Sequence, residues 1–190
     1  MKKTSSLLLM LSGLVCLANS CRTTLGQTTP QQKVGSVSEG WRLWTRLVKT
    51  TDRAETALPT DKHYETQAYA KQNEELTLEF WQENVSNNEL ILGTSSAEKD
   101  FFLSVKTAQG ADAKLTDYGK TLNENRSLIT MSIGIHVKAN DWREFTLPLS
   151  KMYDLSKPGV YTISAYRYVM KPQGKEASKL LANTVELTVR

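Results

Sequence analysis

Glu75-Leu76-Thr77-Leu78-Glu79-Phe80-Trp81 decides how this chain is read. Leu76, Leu78 and Phe80 take one side of an extended backbone, and the residues between them take the other. The first side belongs in a core, and Trp81 points outward by the same count. The pattern repeats in Phe101-Leu103-Val105 and, over nine residues, in Ile129-Met131-Ile133-Ile135-Val137. Phe145-Leu147-Leu149, Tyr161-Ile163-Ala165 and Val185-Leu187-Val189 follow it as well. Trp41 to Trp44 supplies a first strand, and Glu89 to Leu92 a short one.

Turn-forming residues separate these runs: Asn87-Asn88, Gln109-Gly110, Tyr118-Gly119, Asn140-Asp141, Lys157-Pro158-Gly159 and Pro172-Gln173-Gly174. Seven to nine short strands with such punctuation predict an all-β protein, an antiparallel β-sandwich. Helix is scarce. Glu176 to Ala182 reads either as a helix or as the tip of a long hairpin. Thr50 to Lys71 has weak periodicity and receives no assignment, and no internal repeat is present.

The chain has 190 residues, with 39% hydrophobic and 23% charged, which suits one globular domain and excludes wholesale disorder. Its 24 Lys and Arg against 20 Asp and Glu give +4, and loss of Lys2 and Lys3 with a leader leaves 22 against 20. So balanced a charge gives no reason to expect nucleic acid or a strongly acidic partner.

The leader is legible. Lys2 and Lys3 precede an apolar run from Leu7 to Ala18, which is shorter than the ~20 residues a spanning helix needs. Small residues at Ala18 and Ser20 complete a secretory signal over residues 1–20. Cys21 comes next, and the segment resembles a bacterial lipoprotein signal, which implies acylation of Cys21 and a membrane anchor through that lipid. The usual box has Leu three places before the cysteine, whereas here Ala18 stands there and Leu17 one step further back. Ordinary cleavage leaving a free thiol is the alternative. Cys16 departs with the leader, so a mature Cys21 has no intramolecular partner, and acylation accounts for a lone cysteine there. By the same likeness, Arg22 after the cysteine points to the outer membrane, where a cell has one. Residues 21–40 are rich in Thr, Gln, Ser and Gly and read as a flexible tether, with the sandwich domain spanning 41–190.

Met152-Tyr153-Asp154-Leu155-Ser156-Lys157-Pro158-Gly159-Val160-Tyr161-Thr162-Ile163 is the most specific stretch. It resembles the penultimate-strand motif YDLSxPGxYxI of immunoglobulin-like bacterial domains. It is also similar to the N-terminal sandwich of deuterolysin-type peptidases and, more loosely, to the BsuPI-type proteinase-inhibitor fold. Leu76 to Asn84 with Val85-Ser86 resembles the strand ending in N-x-S of those domains, and Asn183 to Val189 their closing strand. The likeness implies an immunoglobulin-like sandwich from about Glu74 to Arg190. The residues themselves give the motif a structural role. Pro158 fixes φ, Gly159 admits a positive φ, Tyr153 and Leu155 cap the core edge, and Asp154 and Ser156 bond turn amides. Tyr161 then faces in.

Catalytic chemistry finds no foothold. The two histidines, His63 and His136, are not spaced as in H-E-x-x-H, and the zinc-binding helix of deuterolysins has no counterpart here. No G-x-S-x-G elbow occurs. Gly119-Lys120-Thr121 resembles the end of a phosphate loop, but Lys114 stands where the upstream glycine belongs, so it reads as a loop. No metal or cofactor is expected.

Trp81, Tyr166 and Tyr168 point outward by strand parity and Trp142 sits beside a turn; the four form the candidate binding face, unless they pack under the tether or the long hairpin. The reading is therefore a lipid-anchored, exported envelope module that binds an unidentified envelope protein without catalysis. A proteinase inhibitor presenting Met170 to Lys179 is the alternative, and an envelope hydrolase is disfavoured.

Overall fold

The computed structural model describes residues 35–52, 66–126, 131–171 and 176–190. Its strands are β1 (Val37–Ser38), β2 (Trp41–Lys49), β3 (Gln67–Ala70), β4 (Leu76–Asn84), β5 (Leu90–Thr94), β6 (Phe101–Thr107), β7 (Ile133–Val137), β8 (Trp142–Leu147), β9 (Gly159–Met170), β10 (Ala177–Leu181) and β11 (Val185–Val189). Three short α-helices, α1 (Ala97–Asp100), α2 (Asp117–Glu124) and α3 (Leu149–Met152), and a single 3-10 turn at Thr50–Asp52 interrupt them among the described residues.

The protein is an all-β sandwich. The first sheet runs β1-β2-β4-β8. In the second, the long β9 pairs with β6 along one edge and with β10 and then β11 along the other, and β3 lies outside β11. The β11–β3 pair is parallel and the other named pairs are antiparallel. The inner faces meet where Phe80 of β4 stacks on Phe101 of β6, ring centroids 4.3 Å apart. Leu43, Leu78, Phe80, Leu147, Ile163, Leu180 and Leu187 are fully enclosed, and each such side chain contributes about 1.5–3 kcal/mol of transfer free energy.

Two asparagines from the quoted motifs act as clamps. Asn84, at the end of β4, donates to Asn88 O and Val137 O, while its Oδ1 accepts from the amide and hydroxyl of Ser86. That explains the N-x-S spacing: the serine must lie two residues on to reach the same oxygen. Asn183, before β11, bonds both backbone groups of Thr45 on β2 and so joins the sheets.

The structure departs from the sequence reading at several places. The sheet begins before Trp41: β1 pairs with β2, and Ser36 bonds Leu181 of β10 through backbone and side chain. Of the two readings of Glu176 to Ala182 the hairpin holds and the helix does not: Ala177–Leu181 is strand β10, paired with β9. The predicted loop around Gly119 is helix α2, capped by Thr116, whose Oγ1 accepts from Gly119 N at 3.1 Å. Glycine is required there because a Cβ would lie 2.2 Å from Met152 O of α3. Of the nine-residue run, Ile129 lies outside the described residues, and Ile133–Val137 is β7. Met131 is 91% and Ile133 61% exposed, since β5 and β7 form a separate two-stranded sheet in which Leu92 and Val137 are buried in the core and Leu90 and Ile135 pack partly against it. Leu149 belongs to α3, because Pro148 has no N–H with which to extend β8. In the unassigned region, Gln67 to Ala70 is β3. Cys21, His63 and the Pro172-Gln173-Gly174 turn lie outside the described residues.

Candidate functional site

Strand β9 is long enough to cross the whole second sheet, and its parity sorts its side chains cleanly. Tyr161, Ile163, Ala165, Arg167 and Val169 are buried, whereas Tyr166, Tyr168 and Met170 take the outer face. The antiparallel register sets Phe102 of β6 opposite Tyr166. Their rings stack at 4.9 Å and 6°. Tyr168 stands edge-on to both, 5.7 Å from each centroid. Pairs of these geometries add about 0.5–1.5 kcal/mol beyond area burial, so the three rings form a fixed platform.

Two cations frame it. Lys179 of β10 lies opposite Tyr168 in register, and its Nζ sits 3.7 Å above the Tyr166 ring. Arg126, two residues past α2, places its guanidinium 4.5 Å over Phe102. Its Nη1 donates to Lys99 O and Phe101 O, so α2 delivers the charge to the edge of β6. Partial burial pushes the Arg126 guanidinium below its ordinary value, which leaves it charged at neutral pH. Among the described residues neither cation forms an ion pair with a carboxylate. Beside the rings, Tyr168 is 50%, Met170 58% and Leu181 47% exposed.

The other two candidates lie elsewhere. Trp81 and Trp142 occupy the outer face of the first sheet, on the opposite side of the sandwich from Tyr166 and Tyr168. Trp81 is on the outward side of β4 but only 5% exposed, enclosed by Trp44 edge-on at 6.5 Å and by Arg46 over its face at 4.9 Å. Parity gave its side correctly and its exposure wrongly. Trp142 is half-buried at the start of β8. The four residues do not make one face; Tyr166 and Tyr168 do.

The motif residues pack and bond locally, with the Ser156 hydroxyl on the Asp154 carboxylate and not on a turn amide. Tyr153 and Leu155 are buried at the core edge, Tyr153 Oη donating to Leu103 O. Asp154 Oδ1 accepts from the amide and hydroxyl of Ser156, and these bonds hold its carboxyl below the usual carboxylate range. Pro158 leads into Gly159, whose φ of +154° few L side chains adopt. Tyr161 turns inward and donates back to Lys157 O at 2.9 Å. Around Tyr153 and Asp154 opens a cleft of about 640 Å³. Several of its polar groups are engaged internally: Lys120 pairs with Asp117, Lys114 with Asp154, and Ser150 links Leu76 N to Glu74 O. Among the described residues no three His, Cys, Asp or Glu gather as a metal site. His136 is exposed, with Nδ1 2.7 Å from Glu89 Oε1.

One polar residue escaped the sequence reading. Arg167 projects between the sheets at 2% exposure, donating to Gln82 Oε1 at 2.9 Å and Gly93 O at 2.7 Å. Asp100 lies 3.5 Å away, and the guanidinium rests over Phe101 and Phe145. Burial pushes its pKa down and Asp100 opposes that. Parity on β9 carried the signal, because Arg167 shares the side of Tyr161, Ile163 and Ala165.

No protein family and no curated protein matches this chain. Among solved structures, the chain is similar to one described as the X-ray structure of Northeast Structural Genomics Consortium target SoR45, at 9% identity and a TM-score of 0.40, over 80% of this chain and 89% of that one. A likeness that weak says nothing about function.

Proposed function

We propose that this chain is a lipid-anchored module of the bacterial cell envelope that acts through protein contacts and performs no catalysis. The N-terminal reading supports the anchor: a charged start, a short apolar run, small residues and then Cys21. The observation that carries the contact reading is the ring cluster of Phe102, Tyr166 and Tyr168 on the second sheet, in which two half-buried, stacked rings hold the exposed Tyr168 in place. Rigid aromatic area buries much surface at little conformational cost, which is what recognition surfaces use. The Lys157 carbonyl bond from Tyr161 supports the immunoglobulin-like assignment, since such sandwiches carry a tyrosine bonded to backbone a few residues upstream.

The inhibitor alternative loses most of its segment. Met170 ends β9, Ala177 to Lys179 are paired in β10, and Lys171 N donates to Glu176 O across the hairpin. Residues 172–175 lie outside the described residues.

A photo-crosslinking residue at position 168 of the full chain, expressed in its envelope, tests the contact reading. The expected product is a covalent adduct with protein, reduced when Phe102→Ala removes the stacked ring. Adducts with glycan alone, or none, overturn it. The anchor is read from the mass of the mature protein, where the expected species begins at an acylated Cys21.

A further inference from the structure

The platform's charges say what kind of protein segment it takes. On the two strands that carry its rings other cations are neutralised: Lys171, just past β9, pairs with Glu176, and Lys106 of β6 with Asp112. Arg126 and Lys179 do not. Each is held over a ring face, with no described carboxylate in ion-pair reach. A cation over a ring is oriented in advance and partly stripped of water, so pairing it later costs less side-chain entropy than pairing a free lysine. Around the two cations lie the half-buried Phe102 and Tyr166 and the exposed Tyr168 and Leu181, a largely apolar strip whose side-chain hydrogen-bonding groups are the two tyrosine hydroxyls. A sugar chain needs many such groups to satisfy its hydroxyls, whereas an apolar peptide side chain needs none.

Resting on the protein-contact reading, we infer that the platform of Phe102, Tyr166, Tyr168 and Leu181, framed by Arg126 and Lys179, docks an acidic peptide segment: an aromatic or aliphatic anchor flanked by Asp or Glu. The anchor packs against Tyr168 and Leu181, the exposed members of the platform, and displaces water there, and the carboxylates meet the two cations. The near-neutral charge of the whole chain does not oppose this, because net charge averages over a surface while a docking site is local.

Selection from a random peptide display library on the full chain in mild detergent tests it. The expected winners share an apolar anchor with adjacent acidic residues. A synthesised winner then weakens about tenfold or more against Tyr168→Ala and against Lys179→Glu, and weakens steadily from about 50 to about 300 mM salt. Lys179→Glu regains affinity for the same peptide with its acids changed to lysine, a rescue that a merely structural lysine would not give. Both positions are exposed, and circular dichroism checks that each variant is folded. Winners that lack acids but still need Tyr168 overturn this inference and leave the protein-contact reading standing. Failure to enrich any peptide, with polygalacturonate binding at Tyr168 instead, overturns both.

Discussion

Asn183 takes the place of a strand for Thr45. Its Oδ1 accepts from Thr45 N at 2.7 Å and its Nδ2 donates to Thr45 O at 2.8 Å, both in the buried interior. One side chain of the second sheet thus satisfies the backbone of β2 in the first, where β1 is too short to reach. Backbone groups in such a place must be paired, and a primary amide is the side chain that can both give and accept.

Asn183→Ala leaves both Thr45 groups without partners and is expected to lower stability by about 2–4 kcal/mol. Asn183→Asp keeps the acceptor, loses the donor and adds a buried charge, so it is expected to do no better. Urea unfolding of the two variants checks this. A loss below about 0.5 kcal/mol in both would show that water or another group serves Thr45.

Arg167→Met strands Gln82 Oε1 and Gly93 O in the interior, with an expected cost of about 2–4 kcal/mol. Changing Gln82 to Met as well removes an orphaned partner, and the double variant should recover part of the loss. A double-mutant cycle by chemical denaturation reads the coupling; strict additivity would mean the two side chains act independently.

Gly119→Ala sets intrinsic preference against packing. Alanine favours helix by about 1 kcal/mol, yet its Cβ would meet Met152 O at 2.2 Å. The clash wins. The melting temperature is expected to fall, at about 2–4 °C per kcal/mol for a chain of this size. A rise would mean that α2 and α3 are not packed as described.

Acid should weaken the fold in a defined window. Asp154 is held below the usual carboxylate range by the Ser156 hydroxyl and amide, Glu74 by the Lys71 amide and Lys49, and Asp117 by Lys120. A lowered folded value means stability that is present above the unfolded value, about 4, and is lost as pH falls through the folded one. Denaturation midpoints of the wild type are expected to drop below about pH 4, and more gently in Asp154→Asn. Equal slopes would remove Asp154 from this account.

Alkali acts through a different residue. Burial raises the Tyr153 phenol, so its contribution is complete below about pH 10 and disappears as pH climbs through the higher folded value. Tyr153→Phe starts less stable, having lost the bond to Leu103 O, but its stability should be flatter with pH in that range. Unfolding midpoints at pH 9 to 11, followed by absorbance of the phenolate, distinguish the two terms.

Alternation of apolar and polar residues determined, by itself, that the body is layered β-structure, and it assigned Leu76, Leu78, Phe80, Tyr161, Ile163 and Leu187 to the interior. Pro158-Gly159 likewise placed a turn, because the conformational limits of those two residues are local. Even buried Arg167 was within reach of that count. Parity ends at the strand's own two sides. It names neither the neighbouring strand nor what lies over an outward face, so Trp81, outward by count, is enclosed beneath Arg46 and beside Trp44. The parallel β11–β3 pair, the helix around Gly119 and the strand at Ala177 depend on contacts far along the chain. The platform is the clearest case. Tyr166 and Tyr168 were visible as outward aromatics, but Phe102, Arg126 and Lys179 reach them only through the β6–β9–β10 register and the position of α2. Those three come from separate elements, and a stack or a charge over a ring needs side chains within about 6 Å, a distance that folding alone sets.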